Sequence, residues 1–214
     1  MGTTEIVGIS IFGLLLLGAV ALGLWQGTKQ RERVARYSSG HGFSVLRAGD
    51  APLAALLEQV APDSNFSPHP VMLVEPAPNG VYLFGCQIRS KERSSTSSTG
   101  YACLAEHAAN RPEWPVTIFT RTPIVEKLVR DRVETGGEEF RRKFTVTCSN
   151  AGVALVTVSV EVQRIFLDHA AGPGWYLSVT IAGRGVLVES HWAQTEEEWD
   201  YLIALAKKLR AALR

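Results

Sequence analysis

The sequence predicts an α+β fold, with one N-terminal transmembrane helix followed by a mainly antiparallel sheet domain with packed helices. Three observations predict it. Ile6–Trp25 is a run of twenty residues without a charge, and as a helix it is about 30 Å long, enough to cross the hydrocarbon core of a bilayer. From Val71 to Phe119 the chain alternates short apolar runs with turn signals, the pattern of hairpin-connected strands. Glu196–Leu213 carries apolar residues at helical spacing. The strands are interrupted by helices and no βαβ unit repeats, so a largely antiparallel sheet with helices on one face is expected.

The anchor comes first. Met1–Glu5 holds no Lys or Arg, and Trp25-Gln26-Gly27-Thr28 is a poor cleavage site, which argues against a signal peptide. Gly8, Gly13, Gly18 and Gly23 recur every five residues. That step drifts around a helix of 3.6 residues per turn and makes no packing stripe. Lys29, Arg31, Arg33 and Arg36 follow the run with Glu32 among them. The positive-inside tendency then leaves Met1 outside and the C-terminal domain in the cytoplasm, as in a single-pass protein of the inner (plasma) membrane. The expected division is an anchor at 1–28, a basic juxtamembrane linker at 29–42 and a soluble α+β domain at 43–214. A split of the soluble part near Thr135-Gly136-Gly137 is the alternative.

Within the soluble part, Phe43–Leu46 reads as a short strand. Asp50 can cap a helix whose first turn holds Pro52 and whose Leu53, Leu56, Leu57 and Val60 share a face. Val71–Val74 and Val81–Ile88 flank Asn79-Gly80, a two-residue turn signal. Arg89–Thr99 is charged and serine-rich and reads as the mobile tip of a long hairpin whose return strand is Tyr101–His107. Val116–Phe119 is a further strand. Thr122-Pro123 opens a short amphipathic helix through Val129. Phe144–Cys148 alternates as a strand does, and Ser149 or Asn150 can cap the next helix. Val160–His169 reads as a helix, although the β-branched residues from Val156 to Val162 blur its start. Trp175–Ile181 and Gly185–Glu189 form a hairpin. Thr195 caps the last helix, with Glu196–Glu198 in its first turn and Lys207, Lys208 and Arg210 near its end, matching the helix dipole.

The chemistry-bearing residues are sparse. The formal net charge is +1, so no global field favours nucleic acid. The local clusters at Arg89–Arg93 and Arg141–Lys143 read as solvated faces. Three cysteines, Cys86, Cys103 and Cys148, make neither a disulfide framework nor a close metal-ligand pair. Cys86 and Cys103 lie on consecutive strands and can face each other across a hairpin. His41, His69, His107, His169 and His191 include no pair at i, i+4. Cys148 with His107 or His191 is the only nucleophile–base combination worth weighing, and nothing local activates the thiol. No residue is nominated as catalytic, cofactor-binding or metal-ligating, and no cofactor is implied.

Phe140-Arg-Arg-Lys-Phe-Thr-Val-Thr-Cys148, Val160–Leu167, Trp175–Val179 and Gly185–Val188 are similar to a class of bacterial membrane-anchored proteins with a cytoplasmic α+β domain. In that class the strand of the Phe-Arg-Arg-x-Phe type is followed by a helix, a tryptophan-led hairpin and a closing helix. Many of its members have two spans where this chain has one. The resemblance implies a bacterial, membrane-anchored domain and carries no activity. The leading expectation is a membrane-tethered, non-enzymatic binding or scaffold domain. Its partners would be the lipid bilayer through Ile6–Trp25, and another membrane protein or anionic lipid. A membrane-associated hydrolase or thiol enzyme and a structural subunit of an envelope assembly are the competing classes.

Overall fold

The computed structural model describes residues 28–46, 51–62, 70–89, 97–107, 114–169, 176–190 and 195–213. The expected span Ile6–Trp25 lies outside them. Among the described residues no helix is long and apolar enough to cross a membrane. The chain divides into two compact units, Met1–Gly42 and Phe43–Arg214.

In the first unit, residues 28–41 form a helix, α1. The stretch expected as a linker is therefore helical, Ser38-Ser39-Gly40 included. Ser39 Oγ donates to the Arg36 carbonyl at 2.9 Å, a back-bond that lets serine sit within a helix. The helix ends at Gly42, whose φ of 70° is the left-handed conformation typical of a residue just past a helix C-terminus.

Among the described residues the second unit is built on one nine-stranded sheet, with every pairing antiparallel. In chain order the elements are β1 (Ser44–Leu46), α2 (Ala51–Val60), β2 (Val71–Glu75), β3 (Val81–Arg89), β4 (Ser97–Glu106), β5 (Val116–Thr120), α3 (Pro123–Leu128), β6 (Arg132–Val133), α4 (Glu138–Lys143), β7 (Phe144–Thr147), α5 (Ala151–Thr157), α6 (Val160–His169), β8 (Leu177–Ala182), β9 (Gly185–Ser190) and α7 (Glu196–Ala212). The sheet order is β1-β2-β3-β4-β9-β8-β5-β7-β6. Asn79, with φ 73°, turns β2 into β3 as its side-chain type allows.

Helices cover both faces of the sheet, not one. Leu53, Leu56, Leu57 and Val60 of α2 pack on Tyr82, Phe84, Ala102, Leu104 and Leu187. Tyr101 has the opposite parity on β4, and its ring meets Trp199 of α7 at 4.6 Å. Along a strand, neighbours point to opposite faces, so α2 and α7 are on opposite sides. The sequence carried this information: Val81–Phe84 and Tyr101–Ala105 are apolar or small without alternation, and all of them are buried, as in strands covered on both sides.

The Phe-Arg-Arg-x-Phe segment also differs from expectation. Its first part is the helix α4 and only Phe144 onward is strand. Glu138 and Glu139 open the helix and Arg141, Arg142 and Lys143 close it, which suits the dipole. The i, i+4 pairs Arg142–Glu138 (3.4 Å) and Lys143–Glu139 (3.2 Å) line its exposed side. Phe140 and Phe144 then converge on Phe166 of α6, with ring centroids at 5.9 and 5.1 Å. The β-branched run resolves into two helices. Asn150 caps α5 by accepting from the Val153 N–H, and Ser159 Oγ accepts from the Val162 N–H at the start of α6. Thr195 and Glu198 form a capping box on α7.

Candidate functional site

Among the described residues, those weighed from sequence do not converge. Cys148, just past β7, is buried, and its sulfur accepts the Asn150 N–H at 3.4 Å. His107 follows β4 and is buried, its backbone N–H bonded to the Arg184 carbonyl at 2.8 Å. Their strands are four places apart in the sheet, which at ~4.8 Å per step is about 19 Å. No proton passes directly over that distance, so Cys148 and His107 are not a nucleophile–base pair. His69 and His191 lie outside the described residues. Cys86 pairs in register with Gly100 and Cys103 with Leu83, so the two cysteines are not cross-strand partners. Burial pushes the Cys103 thiol up to about 12, against weaker opposing pulls from Lys207 and Arg210; such a thiol stays protonated and inert. His169 sits with its Nε2 2.6 Å from Lys208 Nζ. Burial first, and the lysine charge second, lower its pKa. Among the described residues no group of three or more His, Cys, Asp or Glu is placed to hold a metal ion.

Where α2 stops, the same face of the sheet turns polar. One row across it reads Leu187, Thr180, Thr117, Thr147, and the next Glu189, Ser178, Phe119, Thr145. Thr117 and Thr180 share a hydroxyl–hydroxyl bond of 3.3 Å. Burial pushes the Glu189 carboxyl up to about 7, while a hydrogen bond with Ser178 pulls the other way. Burial, and then the Glu189 charge, raise the Tyr176 phenol, and the Tyr176 ring lies 6.4 Å from Phe119. This cluster pairs a carboxyl that titrates near neutrality with hydroxyls and an aromatic edge. Its serine and threonine members Ser178, Thr180 and Thr145 are buried, and among the described residues it contains no assembled nucleophile and base. Sequence reasoning missed it because its members come from four separate strands.

A cavity of about 260 Å³ opens beside β7, where β6 stops pairing. Arg121, Arg132, Arg141, Glu134, Thr135 and Thr145 contribute to its walls. Arg121 is fixed by Glu126, with Nε to Oε1 at 2.6 Å, and by the Arg141 carbonyl at 2.8 Å. The fold places these groups for local reasons: Arg121 follows β5, Arg132 lies on β6, and Arg141 sits in the last turn of α4.

The arrangement defines an α+β domain with a broad antiparallel sheet, a polar sheet face and an arginine-walled cavity. No family model matches the chain, and no curated protein matches it. Among solved structures, the chain is similar to the crystal structure of the mycobacterial trehalose monomycolate transport factor A, TtfA. The TM-score is 0.59 at 13% sequence identity, over 86% of this chain and 94% of that one. At that identity the likeness is one of fold.

Proposed function

We propose that this chain is a membrane-tethered, non-enzymatic binding domain of a bacterial inner membrane, held by Ile6–Trp25 with its C-terminal domain in the cytoplasm. The observation that carries the reading is the uncharged run Ile6–Trp25 followed by Lys29, Arg31, Arg33 and Arg36. Length and flanking charge are those of a spanning helix with its basic end inside. The likeness in fold to a transport factor is the support for an accessory role in transport. The separation of Cys148 from His107 speaks against the thiol-enzyme reading.

Two measurements test it. Protease added to intact spheroplasts leaves a C-terminal tag uncut, and lysis exposes it; cleavage in intact spheroplasts overturns the orientation. Crosslinked full-length protein purified from solubilised membranes should enrich a membrane protein that residues 1–42 fused to an unrelated soluble domain do not. Identical sets from the two baits, with no binding to lipid vesicles, would remove the binding-domain reading.

A further inference from the structure

We propose that the cavity beside β7 is a binding site for a phosphate group. It stands apart from the membrane reading, since every residue it uses belongs to the unit Phe43–Arg214. Three arginines, Arg121, Arg132 and Arg141, contribute to its walls. Two carboxylates stand against them. Glu134 is in the wall, and Glu126 holds Arg121 while Arg132 Nη1 lies 3.5 Å from the same oxygen. The balance is cationic, and the positions are not equivalent. The Arg121 fork is fixed by its bonds, with Nε and Nη2 on Glu126 and Nη1 on the Arg141 carbonyl. The Arg141 guanidinium makes no hydrogen bond or ion pair among the described residues. A charged fork without a partner next to a pre-positioned one is the pattern that takes a phosphate in two parallel hydrogen bonds.

A second observation comes from Thr145. It is 1% exposed, contributes to the wall, and its Oγ1 has no hydrogen-bond partner among the described residues. A buried hydroxyl left unpaired is unfavourable, and a ligand oxygen would satisfy it. Size limits the ligand. The cavity is about 260 Å³, below the ~300–1,000 Å³ of pockets that enclose drug-sized molecules. It suits a phosphate or a phosphate headgroup, with the rest of any larger molecule outside.

The full chain in uncharged detergent is titrated with inorganic phosphate, and the full chain in nanodiscs of phosphatidylcholine is compared with nanodiscs containing phosphatidic acid. Binding is read from the NMR signals of the arginine Nε–H groups and from calorimetry. The expected result is saturable binding that Arg141→Gln weakens at least five-fold and Thr145→Val weakens measurably. Arg142→Gln, on the same helix but paired with Glu138, should leave it unchanged. Binding of inorganic phosphate with that pattern identifies a soluble phosphate ligand; the same pattern only with phosphatidic acid identifies a lipid headgroup. No saturable binding in either arm, or equal losses in Arg141→Gln and Arg142→Gln, overturns the site. Unchanged circular dichroism in Thr145→Val shows that its loss is not misfolding, and Arg141→Gln, on an exposed side chain, tests the site independently.

Discussion

Gly185→Ala probes the contact that seats α2 on the sheet. Gly185 opens β9, opposite Ala182 and Glu106. A Cβ there would lie 2.5 Å from Val60 Cγ2 and 3.1 Å from Leu104 Cδ1. Carbon atoms in contact sit ~3.5–4.0 Å apart, so α2 must withdraw by about 1 Å or the strand must bend. Both neighbours are essentially unexposed, Val60 at 1% and Leu104 at 0%, which leaves no rotamer to swing into water. Overpacking of this kind costs about 1–3 kcal/mol. Alanine also restricts the unfolded chain, which returns roughly 0.4–1 kcal/mol. The φ of Gly185 is not in the left-handed region, so backbone strain adds nothing. The net expectation is a loss of about 1–2 kcal/mol, or roughly 2–8 °C in Tm for a chain of this size. Thermal and urea unfolding of the full chain in detergent, followed by circular dichroism, measures it. Val60→Ala removes the methyl that clashes, so Gly185→Ala should cost under about 0.5 kcal/mol in that background, a coupling of at least ~0.5–1 kcal/mol. A Gly185→Ala protein as stable as wild type, or a loss undiminished by Val60→Ala, would refute the steric argument.

Four further outcomes follow from the same packing and charge. Phe166→Ala removes a fully buried ring that meets Phe140 and Phe144 edge-on and should cost about 3–5 kcal/mol by urea unfolding. Thr195→Ala removes the acceptor for the Glu198 N–H and should cost ~1 kcal/mol, with helix loss confined to the start of α7 by hydrogen exchange. Glu189, raised by burial to about 7 from an ordinary 4.5, holds its proton more tightly folded than unfolded. Its contribution is therefore greatest below pH ~4.5 and is lost as pH rises to about 7. Urea midpoints across that range should fall less steeply in Glu189→Gln than in wild type, and parallel curves would contradict the assignment. Glu75 runs the other way. Burial raises its pKa, but the hydrogen bonds and charges of Lys207 and Arg210 outweigh that and leave it lowered, so its stabilisation is present above pH ~4.5 and fades on acidification.

Most of the elements of the α+β unit are legible in the sequence, because local signals and tertiary packing agree there. The four buried residues of α2, the Asn79 turn, the Asn150 cap and the Thr195 capping box each follow from residue type and spacing. The departures have separate causes. Phe140 and Phe144 are four residues apart, a spacing that fits helix and strand equally. The Glu-Glu-Phe-Arg-Arg-Lys charge order marked the helix, and the alternation from Phe144 onward obscured it. β6 is two residues long, too short for periodicity to register. The placement of helices on both faces was encoded in the unbroken burial of Val81–Phe84 and Tyr101–Ala105, a feature of the strands and not of the helices.

The candidate sites were less legible for a topological reason. A site made within one element announces itself by spacing, as a capping box does. Glu189, Ser178 and Phe119 are adjacent only because β9 pairs β8 and β8 pairs β5. The last of these pairings joins residues 59 positions apart, from Phe119 to Ser178. Arg121, Arg132 and Arg141 are eleven and nine residues apart, which reads as ordinary surface charge until β6 folds back on β7 and leaves the strand's end open. What the sequence did supply was Arg141 itself, within a basic cluster taken as a solvated face. The fold separates its members: Arg142 and Lys143 pair with glutamates of their own helix, while the Arg141 guanidinium has no such partner among the described residues and Arg141 contributes to a cavity wall. Three consecutive cations thus acquire two different environments from helical geometry alone, because successive residues are turned about 100° apart around an axis of 3.6 residues per turn.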